Sequence, residues 1–394
     1  MNVNLSPQFY NRILNNGYVY LHIRNTYVNY FSSIICSFVN YKRTFITMCK
    51  KSILFFLISI SSWAQFNPNS KQTKIAFGSC GHQDNALPIF DIVVKHQPDM
   101  FIFLGDNIYG DTDDMNVLKS KYAKLNSKPT FQNLKKSTPI IATWDDHDFG
   151  RNDIGRHYPF KTESKQIFLD FFQEPANSLR RQHEGIYTSY IHEINGRKLQ
   201  IILLDNRTFR DDIPKFKEGV IEDKRYFYDL DYLPHTSKDS TFLGEAQWKW
   251  LEGELNKPAD IRLIGSGSQF SIEFNGYEAW ANFPHEQQRF LNLIKKTKAN
   301  GVLFLSGDVH YAEISKLQSD GLYPIYDVTS SGLSSKWHFA TPNKNRIEGP
   351  VMENHFGLLT IDWTKKDPTI QMEIWDISDN QRIEYTIPLS AIQF

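Results

Sequence analysis

The densest set of ionisable side chains in this sequence lies between Trp144 and Asp153, which reads Trp-Asp-Asp-His-Asp-Phe-Gly-Arg-Asn-Asp. Five carboxylates or imidazoles occupy the nine positions from Asp145 onward, and so much like charge would repel itself unless a cation neutralised it. The alternative is a solvated acidic turn, which is disfavoured because an apolar run typical of a buried strand leads into the segment. The stretch therefore predicts a metal site.

Two further motifs offer similar ligands. In Gly105-Asp-Asn-Ile-Tyr-Gly-Asp111, a carboxylate follows glycine at the expected end of a strand, where two cations could share it. In Gly307-Asp-Val-His310, Asp308 and the histidine are two residues apart, so both side chains can point the same way on an extended backbone. Carboxylate oxygens with imidazole suit Ca²⁺, Mn²⁺, Fe or Zn²⁺.

Cys80 and Tyr109 could add a thiolate and a phenolate to this set. That pair favours a strongly Lewis-acidic ion such as ferric iron in its half of the site, with a harder ion beside it on the carboxylates. The alternative for Cys80 is a small, buried apolar residue.

Two cations that share an oxygen would explain hydrolase activity, because they lower the pKa of a bound water and stabilise the charge that develops on a phosphoryl group. His147 is the candidate general acid, since Asp145 and Asp146 beside it would raise its pKa and keep it protonated. The alternative is that His147 only donates a hydrogen bond to a ligand. A thiol hydrolase with Cys80 as nucleophile is one alternative, but it would leave the carboxylate clusters unexplained. An inactive metal- or phosphate-binding protein is another, but it would leave the intact ligands in all the motifs unexplained.

Each motif follows a short, continuous apolar run, the pattern of strands buried on both faces. These runs are Ile75–Phe77, Met100–Leu104, Pro139–Trp144, Leu199–Leu204, Ile261–Ile264 and Val302–Leu305. Stretches with helical spacing separate them, at 86–96, 163–172, 245–255 and 285–296. The alternation predicts a layered α/β fold whose ligands bind beyond the carboxyl ends of the strands. The runs at 357–359 and 370–375 are expected to be later strands of the same domain, in a second sheet.

The first 64 residues contain six Lys or Arg and no Asp or Glu. Within 48–64, a basic pair, a short apolar stretch and the small residues Ser62 and Ala64 have the layout of a secretory signal peptide. We expect residues 1–47 to be upstream translation and 48–64 to be the signal peptide. The mature protein would then be periplasmic or secreted, with no stable membrane anchor; an uncleaved anchor helix is the alternative.

The remaining residues, 65–394, contain 38 Lys or Arg against 44 Asp or Glu. Such a mildly acidic body argues against a nucleic-acid partner, which needs a basic face. Of the three cysteines only Cys80 lies in this part, so no internal disulfide is expected. We expect a monomer that acts on a small phosphoester.

In their order along the chain, the motifs resemble those of the alkaline phosphatase D (PhoD-like) family of calcineurin-like metallophosphoesterases. The similarity runs from about residue 73 to 390 and rests on Gly-Ser-Cys80, Gly-Asp106-Asn-Ile-Tyr109, Trp-Asp-Asp146-His147-Asp, Ser-Gly-Asp308-Val-His310 and Ser330-Ser-Gly-Leu333. The resemblance implies a single-domain, four-layer αββα sandwich over 65–394 that hydrolyses phosphomonoesters or phosphodiesters.

The resemblance also implies two or more metal ions, Fe³⁺ and Ca²⁺, with Mn²⁺ or Zn²⁺ as alternatives. The implied ligands are Cys80, Asp106, Tyr109, Asp146, Asp308 and His310. Asp106 would bridge the ions, and Asn107 would contact the phosphate. Register against the family favours Asp146 over Asp145. Gln269 stands near where relatives carry a further histidine, and whether it touches a metal, holds a water or orients its neighbours stays open.

Two arginines are candidates for binding phosphate oxygens. Arg151 is the first; Arg207 could equally form a structural ion pair. The tryptophans at 248, 250, 280 and 337 are more typical of a core than of a substrate platform.

Overall fold

The computed structural model describes residues 66–216 and 230–394, which lie in one compact unit. The expectations for 1–47 and 48–64 concern residues outside this described part. The strands are β1 Gln72–Gly78, β2 Met100–Leu104, β3 Ile140–Thr143, β4 Thr188–Ile194, β5 Arg197–Leu203, β6 Ile261–Ser266, β7 Val302–Ser306, β8 Ala312–Leu317, β9 Ile325–Ser330, β10 Arg346–Val351, β11 His355–Asp362, β12 Thr369–Asp376 and β13 Gln381–Pro388. The helices are α1 Ile89–Lys95, α2 Met115–Asn126, α3 Pro129–Ser137, α4 Asp146–Phe149, α5 Lys161–Phe171, α6 Leu179–Gln182, α7 Gly244–Leu255 and α8 Pro284–Thr297.

The strands form two mixed sheets. The first has the order β13-β12-β11-β1-β2-β3, and the second has the order β10-β8-β9-β7-β6-β5-β4. The strands β1, β2 and β3 run parallel to each other, as do β5, β6, β7 and β9. The carboxyl ends of each parallel set therefore meet at one edge of their sheet.

The side chains of the first sheet alternate between two hydrophobic clusters, which defines the layers. Ile75 and Phe77 of β1 pack into a cluster with the second sheet and helices α7 and α8. Ala76, between them, packs into the other cluster with α1, α2, α3 and α5. Because successive side chains of a strand point to opposite faces, the order is helices, sheet, sheet, helices. The predicted four-layer α/β sandwich is confirmed.

All six predicted apolar runs are strands, and all four predicted helical stretches contain helices. Two longer helices, α2 and α3, were not predicted, although their start signals are visible in the sequence. The Asp114 side chain accepts a hydrogen bond from the backbone N–H of Asn116 at the start of α2, and Pro129 occupies the first turn of α3.

The late strands lie elsewhere than expected. The runs at 357–359 and 370–375 fall in β11 and β12, which belong to the same sheet as β1 rather than to a second sheet. β11 pairs antiparallel with β1, with Phe77 opposite Gly357. The C-terminal strands thus extend the sheet that the N-terminal strands begin, a long-range pairing that local pattern cannot specify.

None of the helices among the described residues is both long and apolar enough to cross a bilayer.

Gly357 provides a test of packing across the β1–β11 ladder. A Cβ added there would lie 2.2 Å from the ring of Phe77, so we expect Gly357→Ala to destabilise the fold by about 1–3 kcal/mol through overpacking. The control is Gly253→Ala at an exposed position of α7. A Cβ there would meet nothing within 4 Å, and alanine favours a helix. Thermal unfolding should show a lower Tm for the first variant alone; equal Tm values would contradict the packing argument.

Candidate metal centre

The predicted ligands lie just beyond the carboxyl ends of parallel strands from both sheets. Cys80 follows β1, Asp106 follows β2, Asp146 begins α4 after β3, and Asp308 follows β7. The two sheets meet here, because the Cys80 Sγ lies 3.5 Å from the backbone oxygen of Asp308. This is where ligand sites form in α/β proteins.

Four of the predicted ligands have left-handed backbone conformations. The φ angles are 60° at Cys80, 49° at Asp106, 77° at Asp308 and 57° at His310. Such angles are unfavourable for residues with a Cβ and persist only where the surroundings impose them. Here the backbone N–H of Cys80 donates to the oxygen of Gly105 at 3.4 Å, which ties the first two strand ends together. The clustering of these four left-handed residues marks a site that the fold holds in place.

Cys80, Asp106 and His310 form the first group of potential ligands. Each contributes one donor atom, and these atoms lie within 4.8 Å of one another. Cys80 Sγ is 3.3 Å from Asp106 Oδ2, and the Tyr109 hydroxyl is 3.0 Å from His310 Nε2. The structure thus brings together the predicted thiol, phenol, carboxylate and imidazole.

Asp106, Asp146 and His147 form a second group within the same distance limit. Asp106 belongs to both groups, as a bridging carboxylate would. His147 Nδ1 lies 2.8 Å from Asp111 Oδ1, and its ring lies 4.2 Å from that of Tyr109. Burial opposes protonation of the ring, but Asp111, Asp106 and Asp146 outweigh it and raise the pKa of His147 to about 10.

The donors fit cations of the kinds expected. Oδ1 of Asp106 and Oδ1 of Asp146 are buried and accept no hydrogen bond. Burial, with the neighbouring Cys80 and Asp146, raises the pKa of Asp106 well above its usual range, and burial raises the pKa of Cys80 to about 12. Buried anions without partners are costly, so a cation is the natural partner of this set. Without a bound metal, burial favours the neutral thiol of Cys80, which is a poor nucleophile, and this counts against a thiol hydrolase.

Asp145 belongs to neither group and pairs with Arg207. The Nε of this fully buried arginine donates to Asp145 Oδ1, and its Nη2 lies 2.6 Å from Glu278 and 3.6 Å from Asp146. Of the two readings of Arg207, the geometry therefore favours a structural ion pair. It also supports Asp146 over Asp145 as the ligand.

Other predicted residues stand further from the two groups. The carboxylate of Asp308 belongs to neither group. Its pKa is raised well above the usual range, first by burial and then by the negative charge of nearby Asp145. The Asn107 amide nitrogen donates to Thr143 O at 2.9 Å and to Asp148, so a phosphate contact through that nitrogen would cost an internal hydrogen bond. Arg151 is exposed and pairs with Asp113.

Gln269 is buried and donates to Glu313 at 3.0 Å and to Thr329 at 2.9 Å. Of its three proposed roles, this contact pattern favours the orientation of neighbouring side chains.

Three residues of the site were missed by sequence reasoning. Asp111 binds His147, Glu278 completes the Arg207 ion pair, and the Ser331 hydroxyl lies 3.2 Å from Cys80 Sγ while accepting from the backbone N–H of His310 at 2.8 Å. Asp111 and Ser331 lie inside the motifs named above, whereas Glu278 lies outside them. Nothing in the residue types, however, indicates which distant partner each one binds.

An α/β sandwich that gathers a buried thiol, buried carboxylates and half-buried imidazoles at its strand ends has the architecture of a hydrolase. The family model described as PhoD-like phosphatase matches residues 75–354. The chain belongs to this family of phosphatases, and the resemblance of its motifs is confirmed.

Individual relatives are distant. The chain is 22% identical over 291 residues to alkaline phosphatase D of Bacillus subtilis (strain 168), a match that covers 64% of this chain and about half, 48%, of the relative's length. A solved structure titled "Structure of PhoD" has a TM-score of 0.61 over 81% of this chain and 73% of that chain, at 17% identity, which shows the fold. GAP50, the anchor in the inner membrane complex of Plasmodium, has a TM-score of 0.49 at 14% identity, covering 82% of this chain and 90% of that chain, and we draw nothing from it.

Removal of Arg207 should show how much the buried ion pairs contribute. We expect Arg207→Met to lower the free energy of unfolding by about 3–5 kcal/mol, because Asp145 and Glu278 would lose their buried partner. The control is Arg156→Met, whose half-exposed pair with Asp211 should contribute about 0–1 kcal/mol. Urea unfolding of the metal-free proteins measures both; equal losses would contradict a structural role for Arg207.

Proposed function

We propose that this chain is an exported, metal-dependent phosphoester hydrolase. The observation that carries the proposal is the position of Asp106, whose buried carboxylate belongs to both groups of potential ligands. One carboxylate between two donor sets suits a pair of cations, and paired cations suit phosphoryl transfer to water. Export follows from the signal-like segment at 48–64.

The donor types divide the site between two kinds of ion. Cys80, Tyr109 and His310 offer thiolate, phenolate and imidazole, which favour Fe³⁺. Asp146 offers an oxygen on the other side of Asp106, which favours Ca²⁺, and Asp308 stands as a further oxygen ligand. Mn²⁺ and Zn²⁺ are the alternative occupants. When bound, such ions supply Lewis acidity to the phosphoryl oxygens and to the attacking water.

The chain's own contribution to the reaction is a positioned proton. The carboxylate of Asp111 holds His147 Nδ1 at 2.8 Å, which fixes the ring and keeps it cationic, so that the other ring nitrogen can protonate the departing alkoxide. A nitrogen that binds a metal holds no proton, so general acid and ligand are exclusive roles for that atom. Arg151, which is exposed and pairs with Asp113, is the proposed partner of the phosphate's free oxygens.

The substrate is a small phosphoester, either a monoester or a diester, and the enzyme acts as a monomer. Neither a nucleic-acid partner nor a membrane anchor is part of the proposal, since the region after residue 64 is mildly acidic.

Metal removal tests the proposed activity. We expect the metal-loaded protein to hydrolyse p-nitrophenyl phosphate or bis-p-nitrophenyl phosphate, a chelator to abolish turnover, and Cys80→Ala to lose the iron equivalent because the soft ligand is gone. Elemental analysis of the purified variants gives the metal content. Ser79→Ala, which removes a neighbouring hydroxyl 3.4 Å from the thiol, is the control and should keep its iron. Unchanged iron in Cys80→Ala would remove the cysteine from the ligand set.

The role of His147 is tested with leaving groups of different basicity. If His147 protonates the leaving oxygen, His147→Gln should slow alkyl phosphoesters by about 10²–10⁴-fold and nitrophenyl esters far less, because nitrophenolate leaves without a proton. The control His82→Gln removes the ring on the other side of Tyr109, at 4.7 Å, without touching Asp111. Equal losses for both ester types in His147→Gln, together with lost metal, would instead identify it as a ligand.

A further inference from the structure

Trp337 differs from every other tryptophan that the structure describes. Those at 144, 248, 280 and 363 lie inside the two large hydrophobic clusters, and those at 250 and 375 pack against them. Trp337, which is half-buried, is in none of the three clusters found among residues 66–216 and 230–394 and packs against none of them. Core packing therefore explains the other tryptophans, whereas Trp337 lies outside the clusters and meets the protein interior at the buried Tyr311, with 6.3 Å between the ring centroids.

Hydrogen bonds, two of them to the backbone oxygen of Cys80, one to that of His310 and one to the Tyr109 side chain, connect the segment 331–337 to three of the proposed ligands. The N–H groups of Ser334 and Ser335 donate to the Cys80 oxygen at 3.1 and 3.2 Å. The Tyr109 hydroxyl donates to Ser335 Oγ at 3.2 Å, and the N–H of Trp337 donates to the His310 oxygen at 3.2 Å. The indole is therefore held at the rim of the metal centre by the residues that form it.

Other rings surround this indole and form an aromatic wall, which comprises Tyr277, Trp337 and Phe339. The indole lies 5.7 Å from the His310 ring, 4.9 Å from Tyr277 and 5.6 Å from Phe339, measured between ring centroids. Tyr277 and Phe339 are half-buried like Trp337, so the wall keeps part of its apolar surface accessible beside a proposed ligand.

The charge of the segment suits an anionic ligand. Residues 331–345 contain no Asp or Glu, and they contain Lys336 and the exposed His338. A surface that joins apolar rings to positive charge binds molecules with an aromatic part and an anionic part.

We propose that the aromatic wall is a subsite for the organic group of the substrate, and that it selects phosphoesters whose organic group carries a planar aromatic ring. This inference rests on the proposed function, because the phosphoryl group must sit at the neighbouring metal centre. A ring stacked on Trp337 would be within reach of a phosphate at His310. Aryl esters and nucleoside esters share this chemistry.

Two pairs of ligands measure the preference without needing turnover. Phenylphosphonate and methylphosphonate differ only in the ring, and the phosphonate analogues of AMP and ribose 5-phosphate, in which a CH₂ group replaces the ester oxygen and prevents hydrolysis, differ only in the base. Isothermal titration calorimetry on metal-loaded protein gives the Kd of each. We expect phenylphosphonate to bind about three- to tenfold more tightly than methylphosphonate, as a single aromatic contact provides.

Substitutions locate that preference. Trp337→Ala should remove the difference between the two phosphonates while leaving the Kd of methylphosphonate and the metal content unchanged, and Trp337→Phe should keep most of it. The matched control is Trp250→Ala, a half-buried tryptophan that packs against the core, which should keep the whole difference. A preference for the AMP analogue over the ribose 5-phosphate analogue, also lost in Trp337→Ala, would identify nucleoside esters as the source; a preference for phenylphosphonate alone would identify simple aryl esters.

The outcomes separate the two proposals. If the wild-type protein turns over nitrophenyl esters but binds both phosphonates equally, the aromatic subsite is wrong and the proposed function stands. If Trp337→Ala keeps the preference, the subsite lies elsewhere and the inference is also overturned. If the metal-loaded protein binds the phosphonates with the expected difference but turns over no ester, the proposed function fails and the subsite stands.

Discussion

Asp106 and its neighbours concentrate negative charge in the interior of this protein, and much of the surrounding structure serves to accommodate it. The carboxylate is buried within ligand distance of a thiol, a second carboxylate and two imidazoles. In a medium of low dielectric constant, these anions must be neutralised by protons or by cations. The raised pKa values of Asp106 and Cys80 correspond to neutralisation by protons, and the proposed function replaces those protons with metal cations.

Adjacent acids of the site differ in how close a cation lies to them. Asp145 and Glu278 pair with the buried guanidinium of Arg207, and Asp146 lies 3.6 Å from it, whereas Asp106 keeps an oxygen that accepts no hydrogen bond. Burial opposes the ionisation of Asp146, but Arg207 and His147 outweigh it and lower its pKa. An arginine thus holds one side of the acidic motif in place and favours the ionised form of the other side.

The sandwich positions the site by stacking two sheets whose parallel strands end at the same place. Left-handed residues after β1, β2 and β7 then turn the donors toward one another. The segment after β9 connects two of these donors, because Ser331 contacts both Cys80 and His310. The same segment continues to Trp337, whose backbone N–H donates to the His310 oxygen. Ligand geometry and the proposed preference for aromatic esters therefore depend on one stretch of chain.

The sequence alone determined the donor types, the buried strands that precede them and, through the order of the motifs, the family and its layered fold. These are local properties, because a continuous apolar run and the turn after it lie within a few residues. Only the tertiary structure decided which acid takes which partner. The choice between Asp145 and Asp146 depends on Arg207, about sixty residues away, and the pairing of Asp111 with His147 depends on how two strand ends meet. The late strands joined the first sheet for the same reason: long-range pairing is fixed by the packing of whole layers, which no local pattern records.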